Sequence, residues 1–239
     1  MGARPDSPGP ADAAPPRPNP LRAAAGMGLF VLWTLVLIPP YLAALGLGRG
    51  YRRMAAAWGA GCLGLLGVRS RVEGTPVTDH GTLFVANHIS YMDILLLQRH
   101  ARAGFVAKSE VGTWPGFGFI ARIGRTVFVS RRAGRGSTAE RDAIAARLAE
   151  NDPLVLFPEG TSSDGAQVLP FRSAFFSAVE AAGGAVTVQP LTIAYTAHRG
   201  QRLAGALRDL YAWYGDMDLL PHLWRAMGTG GGEAVVAFH

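Results

Sequence analysis

Residues 27–48 form a run of 22 positions without a formal charge. A helix of that length reaches across the hydrocarbon core of a bilayer. Pro39 and Pro40 interrupt the run, and adjacent prolines remove two backbone donors and kink or break a helix. Arg49, Arg52 and Arg53 follow, and then a second apolar stretch, Gly-rich and only 15 residues long, at 54–68. Residues 27–68 therefore read as a helical membrane anchor in one of two forms. One is a kinked spanning helix with an interfacial helix after it; the other is a re-entrant hairpin in a single leaflet. A buried core helix is the soluble alternative, disfavoured by the length and the missing charge. Residues 1–26 read as a disordered Pro- and Ala-rich tail. No basic segment directly precedes the apolar core and no cleavage site follows it, so a removable signal peptide is not expected.

The rest of the chain, 69–239, has the composition of a globular domain. Charged residues make up 17% of the whole, against the quarter or so usual for soluble proteins, while 49% are hydrophobic. The net charge is +6. Nucleic acid is one partner for a basic chain, but no zinc-ligand spacing, RNP-like motif or dense basic helix is present. Basicity beside a long apolar segment fits an anionic membrane surface. The arginines after residue 48 put the following domain on the cytoplasmic face of the cell (inner) membrane, although Arg17 and Arg22 flank the other side. The single cysteine, Cys62, lies in an apolar stretch and reads as a small hydrophobe.

Strand-like runs occur at 82–86, 104–108, 126–130, 154–157, 186–194 and 233–238. Helical patterns separate several of them, clearest at 137–150, with Ser137 or Thr138 as a cap and Glu140 in the first turn. This alternation predicts an α/β fold: a mixed, largely parallel sheet covered by helices, with the helical membrane motif in front of it. The last run either pairs in the sheet or marks a chain cut short.

Two of the strands run into polar, turn-forming residues, and ligands of open α/β sheets sit beyond the carboxyl ends of strands. After 82–86 comes Asn87-His88-Ile89-Ser90-Tyr91-Met92-Asp93. His88 in the turn and Asp93 in the first turn of the next helix, with Ser90 as N-cap, would let the carboxylate fix one imidazole nitrogen and free the other as a base. A turn histidine beside a capping aspartate is the structural alternative. After 154–157 comes Pro158-Glu159-Gly160-Thr161, a carboxylate followed by a tight glycine turn.

In this order the motifs resemble those of the glycerolipid acyltransferase family, membrane enzymes that acylate lysophosphatidic acid and related lysolipids. The first block, His-x4-Asp after Asn, is matched at 87–93. Gly124 to Arg131 matches a second block of Gly, apolar run and Arg. Phe-Pro-Glu-Gly-Thr at 157–161 is the third. Val188-Gln189-Pro190-Leu191-Thr192-Ile193 fits a fourth, a hydrophobic strand carrying a proline.

The resemblance implies direct attack of a lysolipid hydroxyl on an acyl thioester, carried by acyl carrier protein or coenzyme A, with no metal and no further cofactor. His88 and Asp93 would be catalytic. Arg131 would hold the acceptor's anionic group, Glu159 would accept from its hydroxyl, and Gly160, Thr161 and Arg172 would complete the binding site. No Gly-x-Ser-x-Gly elbow or cysteine block suggests an acyl-enzyme. Arg132 and Arg135 read as a solvated loop.

The chain departs from the lysophosphatidate pattern after Thr161. Ser162-Ser163-Asp164-Gly165 stands where those members carry Arg then Ser. One cation is missing and one anion is added, which suits a zwitterionic head group. With residues 211–217, the third block looks like the bacterial branch that acylates lyso-ornithine lipid, whose carboxylate and amine would meet Arg131 and Asp164 or Asp216. A 1-acyl-sn-glycerol-3-phosphate acyltransferase is the alternative within the class. A non-catalytic lipid-binding membrane protein and a thioester hydrolase are the alternatives outside it.

Overall fold

The computed structural model describes residues 15–78, 81–129, 138–171, 177–182 and 186–239. The first helix, α1 (Pro20–Gly46), starts seven residues earlier than the edge of the apolar segment, so residues 20–26 are not tail. Asn19 Oδ1 accepts from Arg22 N at 3.0 Å, and proline suits the first helical position. Arg22 also donates to Met227 O, which ties the helix start to the domain. The helix continues through Pro39 and Pro40 up to Gly46. It is the one described helix long and apolar enough to cross a membrane by length and composition.

The second helix, α2 (Tyr51–Leu66), begins after Gly50 and ends at Gly67, both with positive φ. It folds back on α1. Trp33 Nε1 donates to Trp58 O at 3.2 Å, and Trp58 Nε1 donates to Thr34 Oγ1 at 2.9 Å. The two helices thus form a hairpin packed on the domain.

Among the described residues eight strands make one sheet: β1 (Val68–Glu73), β2 (Gly81–Ala86), β3 (Gly104–Lys108), β4 (Val127–Val129), β5 (Leu154–Leu156), β6 (Val186–His198), β7 (Gln201–Arg202) and β8 (Gly232–Phe238). Their order is β1-β8-β6-β2-β5-β3-β4, with β7 beside β6. Neighbours are parallel except at β6–β8 and β6–β7. The sheet is mixed and largely parallel, and the final apolar run pairs within it. β1 has no continuous apolar run, because as an edge strand only Val68 is buried.

Among the described residues five further α-helices follow: α3 (Met92–His100), α4 (Phe117–Ile123), α5 (Thr138–Ala149), α6 (Ser177–Ala182) and α7 (Leu219–Thr229). Strand alternation feeds two cores. Phe84 and Ala86 of β2 face Leu63 of α2, Leu96 of α3 and Met227 of α7. Leu83 and Val85 face Ile144 and Leu148 of α5. Cys62 is fully buried in the first core, and burial pushes its thiol up to about 12, so it stays an inert hydrophobe.

Candidate active site

β2 and β5 are adjacent and parallel, with Val85 paired to Leu156. The loops that leave their carboxyl ends therefore lie side by side, and these loops carry His88 and Glu159.

Asn87 fixes the first loop. Its Oδ1 accepts from Ile193 N at 2.8 Å and its Nδ2 donates to Ile193 O at 3.0 Å, which pins the end of β2 to β6. His88 Nδ1 stands 2.8 Å from Asp93 Oδ2. The same oxygen accepts the backbone N–H groups of Ile89 at 2.7 Å and Ser90 at 2.9 Å. Asp93 is fully buried at the start of α3, near the positive end of the helix. A carboxylate accepts only, so in the neutral imidazole Nδ1 carries the proton and Nε2 holds the lone pair. The His88 ring stacks on Phe157 with centroids 4.0 Å apart, and 19% of its side chain remains exposed. Ser90 is not the formal N-cap, a position held by Tyr91, but its Oγ accepts from Met92 N at 3.3 Å.

Glu159, which the motif would aim at the acceptor hydroxyl, holds two backbone groups. It is 4% exposed. Oε1 accepts from His88 N at 2.9 Å and Oε2 accepts from Leu169 N at 2.8 Å. Both oxygens thus hold backbone, and the carboxylate braces the His88 loop against the loop after β5. Gly160 has φ +68° and its N–H closes a turn onto Phe157 O at 3.0 Å, a conformation that favours glycine. Thr161 is exposed. Ser163 N donates to His88 O at 3.0 Å, so the loop carrying Asp164 leans directly on the histidine. Asp164 Oδ1 accepts from Ala166 N at 2.9 Å. Arg131 and Arg172, with Arg132, Arg135 and Ser137, lie outside the described residues.

The motifs do not disclose two further residues at this site. Tyr195 of β6 donates its hydroxyl to Asp93 Oδ1 at 2.8 Å. Burial above all, then the charge of Asp93 and this bond, holds the phenol well above its ordinary range, so it remains a donor. Trp213 N donates to Ile89 O at 3.0 Å, and its indole Nε1 is enclosed with no hydrogen-bond partner among the described residues. The signal for Tyr195 was its place two residues beyond Ile193 on the same strand face. Trp213 stood in the 211–217 run.

Tyr195→Phe should remove one donor from the Asp93 carboxylate. With its charge less shared, Asp93 supports the imidazolium more strongly. The acid limb of the kcat profile should move to higher pH by up to about one unit, the scale of one charge-assisted hydrogen bond. A pH titration of kcat checks this. A lowered Tm with an unmoved profile would make Tyr195 only a packing residue.

Behind the loops an apolar cavity runs between α1, α2 and the sheet. Phe30, Trp58, Tyr91, Ile94, Phe105 and Leu223 are among its walls. Tyr91, three residues after His88 at the start of α3, is one of its walls.

Arranged this way, a base at a sheet edge beside an apolar cavity suits transfer chemistry on a lipid. The acyltransferase family model matches residues 69–194, and the chain belongs to that family. The chain is 40% identical over 222 residues to the lyso-ornithine lipid O-acyltransferase of Rhizobium meliloti (strain 1021), covering 90% of this chain and 76% of the relative. It is 41% identical to the protein of that name from Brucella abortus (strain 2308), covering 87% and 80%. The 1-acyl-sn-glycerol-3-phosphate acyltransferase of Neisseria gonorrhoeae is 32% identical over 75% of this chain and 68% of its own length. In fold, the chain is similar to the crystal structure of the 1-acyl-sn-glycerophosphate acyltransferase PlsC from Thermotoga maritima. The TM-score is 0.62 at 22% identity, over 91% of this chain and 85% of that one.

Proposed function

We propose that this chain is a lyso-ornithine lipid O-acyltransferase, moving a fatty acyl group from an acyl carrier protein or coenzyme A thioester to the lysolipid hydroxyl. The observation that carries the chemistry is the His88–Asp93 pair at 2.8 Å at the sheet edge, which in the neutral imidazole with its proton on Nδ1 makes Nε2 the base. Nε2 takes the proton of the acceptor hydroxyl, whose oxygen attacks the thioester carbon. Asp93 supports the imidazolium, which returns the proton to the departing thiolate. The apolar cavity receives an acyl chain. Arg131 is proposed to take the acceptor's carboxylate, with Gly160, Thr161 and Arg172 completing the binding site.

The acceptor reading is supported by the two 40–41% identical relatives of that name and by Asp164. Asp164 stands next to the residue that bonds His88 O, so its charge lies near the head group. A phosphate monoester carries close to two negative charges at neutral pH and is repelled there, whereas a head group with a carboxylate and an ammonium is not. We expect a higher kcat/KM for lyso-ornithine lipid than for lysophosphatidic acid, with the same donor at matched detergent and salt. Ser162→Arg with Asp164→Ser should narrow the difference. A wild-type preference for lysophosphatidic acid would overturn the acceptor and favour the glycerophosphate reading.

We further propose that α1 lies in the plane of the inner membrane, with the catalytic domain on the cytoplasmic side. Its inner face is committed to protein along its length: Gly26 at Met227, Thr34 at Trp58 and Tyr41 at Ile123 O. Its outer face exposes Leu29, Leu32, Leu35 and Val36, continued by Phe119 of α4 and Trp224 of α7. Spanning would drag α4 and α7 into the bilayer. Membrane fractions should keep the protein through a high-salt wash, because apolar burial is not screened. Release by salt alone would contradict this anchor.

A further inference from the structure

The parallel strands β2, β5, β3 and β4 begin at the edge of the sheet opposite His88, about 20 Å away by the length of β2. The segments entering these strands line a wide, open pocket with residues 48–53 of the α1–α2 connection. Six arginines stand around it: Arg49, Arg52, Arg53, Arg99, Arg102 and Arg125. Among the described residues that line it the acids are Glu150 and Asp152, which leaves a surplus of four positive charges within that set. His100 adds none, since burial and Arg99 push it down to about 4.

Asp152 is already fully used. Arg52 approaches it at 2.6 Å, Arg147 at 2.5 Å and Arg125 at 3.1 Å. Burial alone would raise its carboxyl, but the bonds from Arg147 and Arg52 hold it below the usual carboxylate range. Donors still exceed acceptors, because Arg52 Nε and Arg125 Nε are enclosed without partners among the described residues. Arg49, Arg53, Arg99 and Arg102 are exposed and have no side-chain hydrogen bond or ion pair among the described residues. Such crowding of guanidinium groups favours an anion that several of them share.

The surroundings say which anion. Arg49 follows Leu47, which is 70% exposed and ends the outward apolar strip of α1. An apolar strip that runs into a guanidinium cluster matches an amphiphile with a charged head. A soluble phosphate would use the arginines and leave the strip unused. We propose that this pocket binds the phosphate of an anionic phospholipid whose acyl chains lie along α1, so that the enzyme docks on anionic membrane at a site separate from the catalytic one. The inference rests on the in-plane placement of α1.

Flotation of the full chain with vesicles separates the two ideas. Wild type is expected to bind phosphatidylcholine vesicles through α1, and vesicles containing one-third phosphatidylglycerol about tenfold more tightly, in a salt-sensitive manner. Arg49→Gln/Arg53→Gln/Arg99→Gln/Arg102→Gln should lose that increment while keeping phosphatidylcholine binding and acyl transfer in neutral detergent. A second variant, Arg69→Gln/Arg71→Gln/Arg141→Gln/Arg202→Gln, has the same net charge and should keep the increment. Equal loss in both variants would reduce the effect to overall charge and overturn the site. Displacement from the mixed vesicles by soluble coenzyme A would assign the pocket to a soluble phosphate and overturn the lipid. Failure of all three proteins to bind phosphatidylcholine would remove the in-plane anchor and this site with it, whereas absence of the increment in wild type removes the site alone.

Discussion

His88→Ala should lower kcat for acyl transfer by about 10² to 10⁴, the range that a positioned general base contributes. KM for donor and acceptor should change little, because the imidazole acts on a proton in transit and its ring is not the surface that holds the lipid. The fold should survive. His88 is partly exposed, and what tethers its loop is backbone: His88 N to Glu159, His88 O to Ser163 N. Asp93→Asn is the sharper companion. The amide can accept from only one oxygen, yet the carboxylate now serves His88, Ile89 and Ser90 through Oδ2 and Tyr195 through Oδ1. The asparagine therefore either turns its NH2 toward donors or releases the imidazole tautomer, and it supplies no charge to the imidazolium. Its loss should approach that of His88→Ala, and the double variant should be little worse than either alone, since the pair works as a unit. Single-turnover rates with acyl donor and lysolipid measure this. Near wild-type turnover by folded His88→Ala would remove the histidine from the mechanism.

The sequence made the fold legible where patterns are local. Phe84 and Leu154 sit in short β-branched and apolar runs buried on both faces, so β2 and β5 could be read directly, and the polar residues after each marked the same sheet edge. β1 was not readable, because an edge strand with one buried residue has no such run. Residues 20–26 looked like tail by composition; only contact with Met227 and Leu65, about 200 and 40 positions away, makes them helix and core. Two prolines pointed to a kink or a break, and the helix is not broken: it runs through them. At the site, the His88–Asp93 pairing was readable by placing His88 in the turn and Asp93 in the first turn of the next helix, since on one continuous helix the two side chains would not meet. The partners of Glu159 did not. Its two hydrogen bonds join residues 71 apart and 10 apart, and nothing in Phe-Pro-Glu-Gly-Thr distinguishes a carboxylate that faces substrate from one that faces backbone. Tyr195 was hidden for the same reason, being 102 residues from Asp93.

Glu159→Ala is expected to combine a stability loss with a fall in kcat, and the pairing of the two is the informative result. Removing the carboxylate leaves the N–H groups of His88 and Leu169 without acceptors at a site that is 4% exposed. Each buried donor left unpaired costs about 1–3 kcal/mol, so a loss of several kcal/mol is the upper expectation if water does not enter. The His88 loop then loses the bond that fixes its first residue. A base displaced by about 1 Å loses about 10² in rate, so kcat should fall by that order while KM for the acceptor stays close to wild type. Glu159→Gln separates brace from substrate contact. The amide oxygen can still accept one N–H, but its NH2 then faces the other donor, so part of the stability loss should persist. If Glu159 instead met the acceptor hydroxyl, Gln would be nearly neutral for stability, and the defect would sit in kcat/KM for the acceptor. Thermal unfolding of both variants, beside steady-state kinetics with the acceptor varied, decides between the two: an unchanged Tm with a raised acceptor KM would return Glu159 to the binding surface.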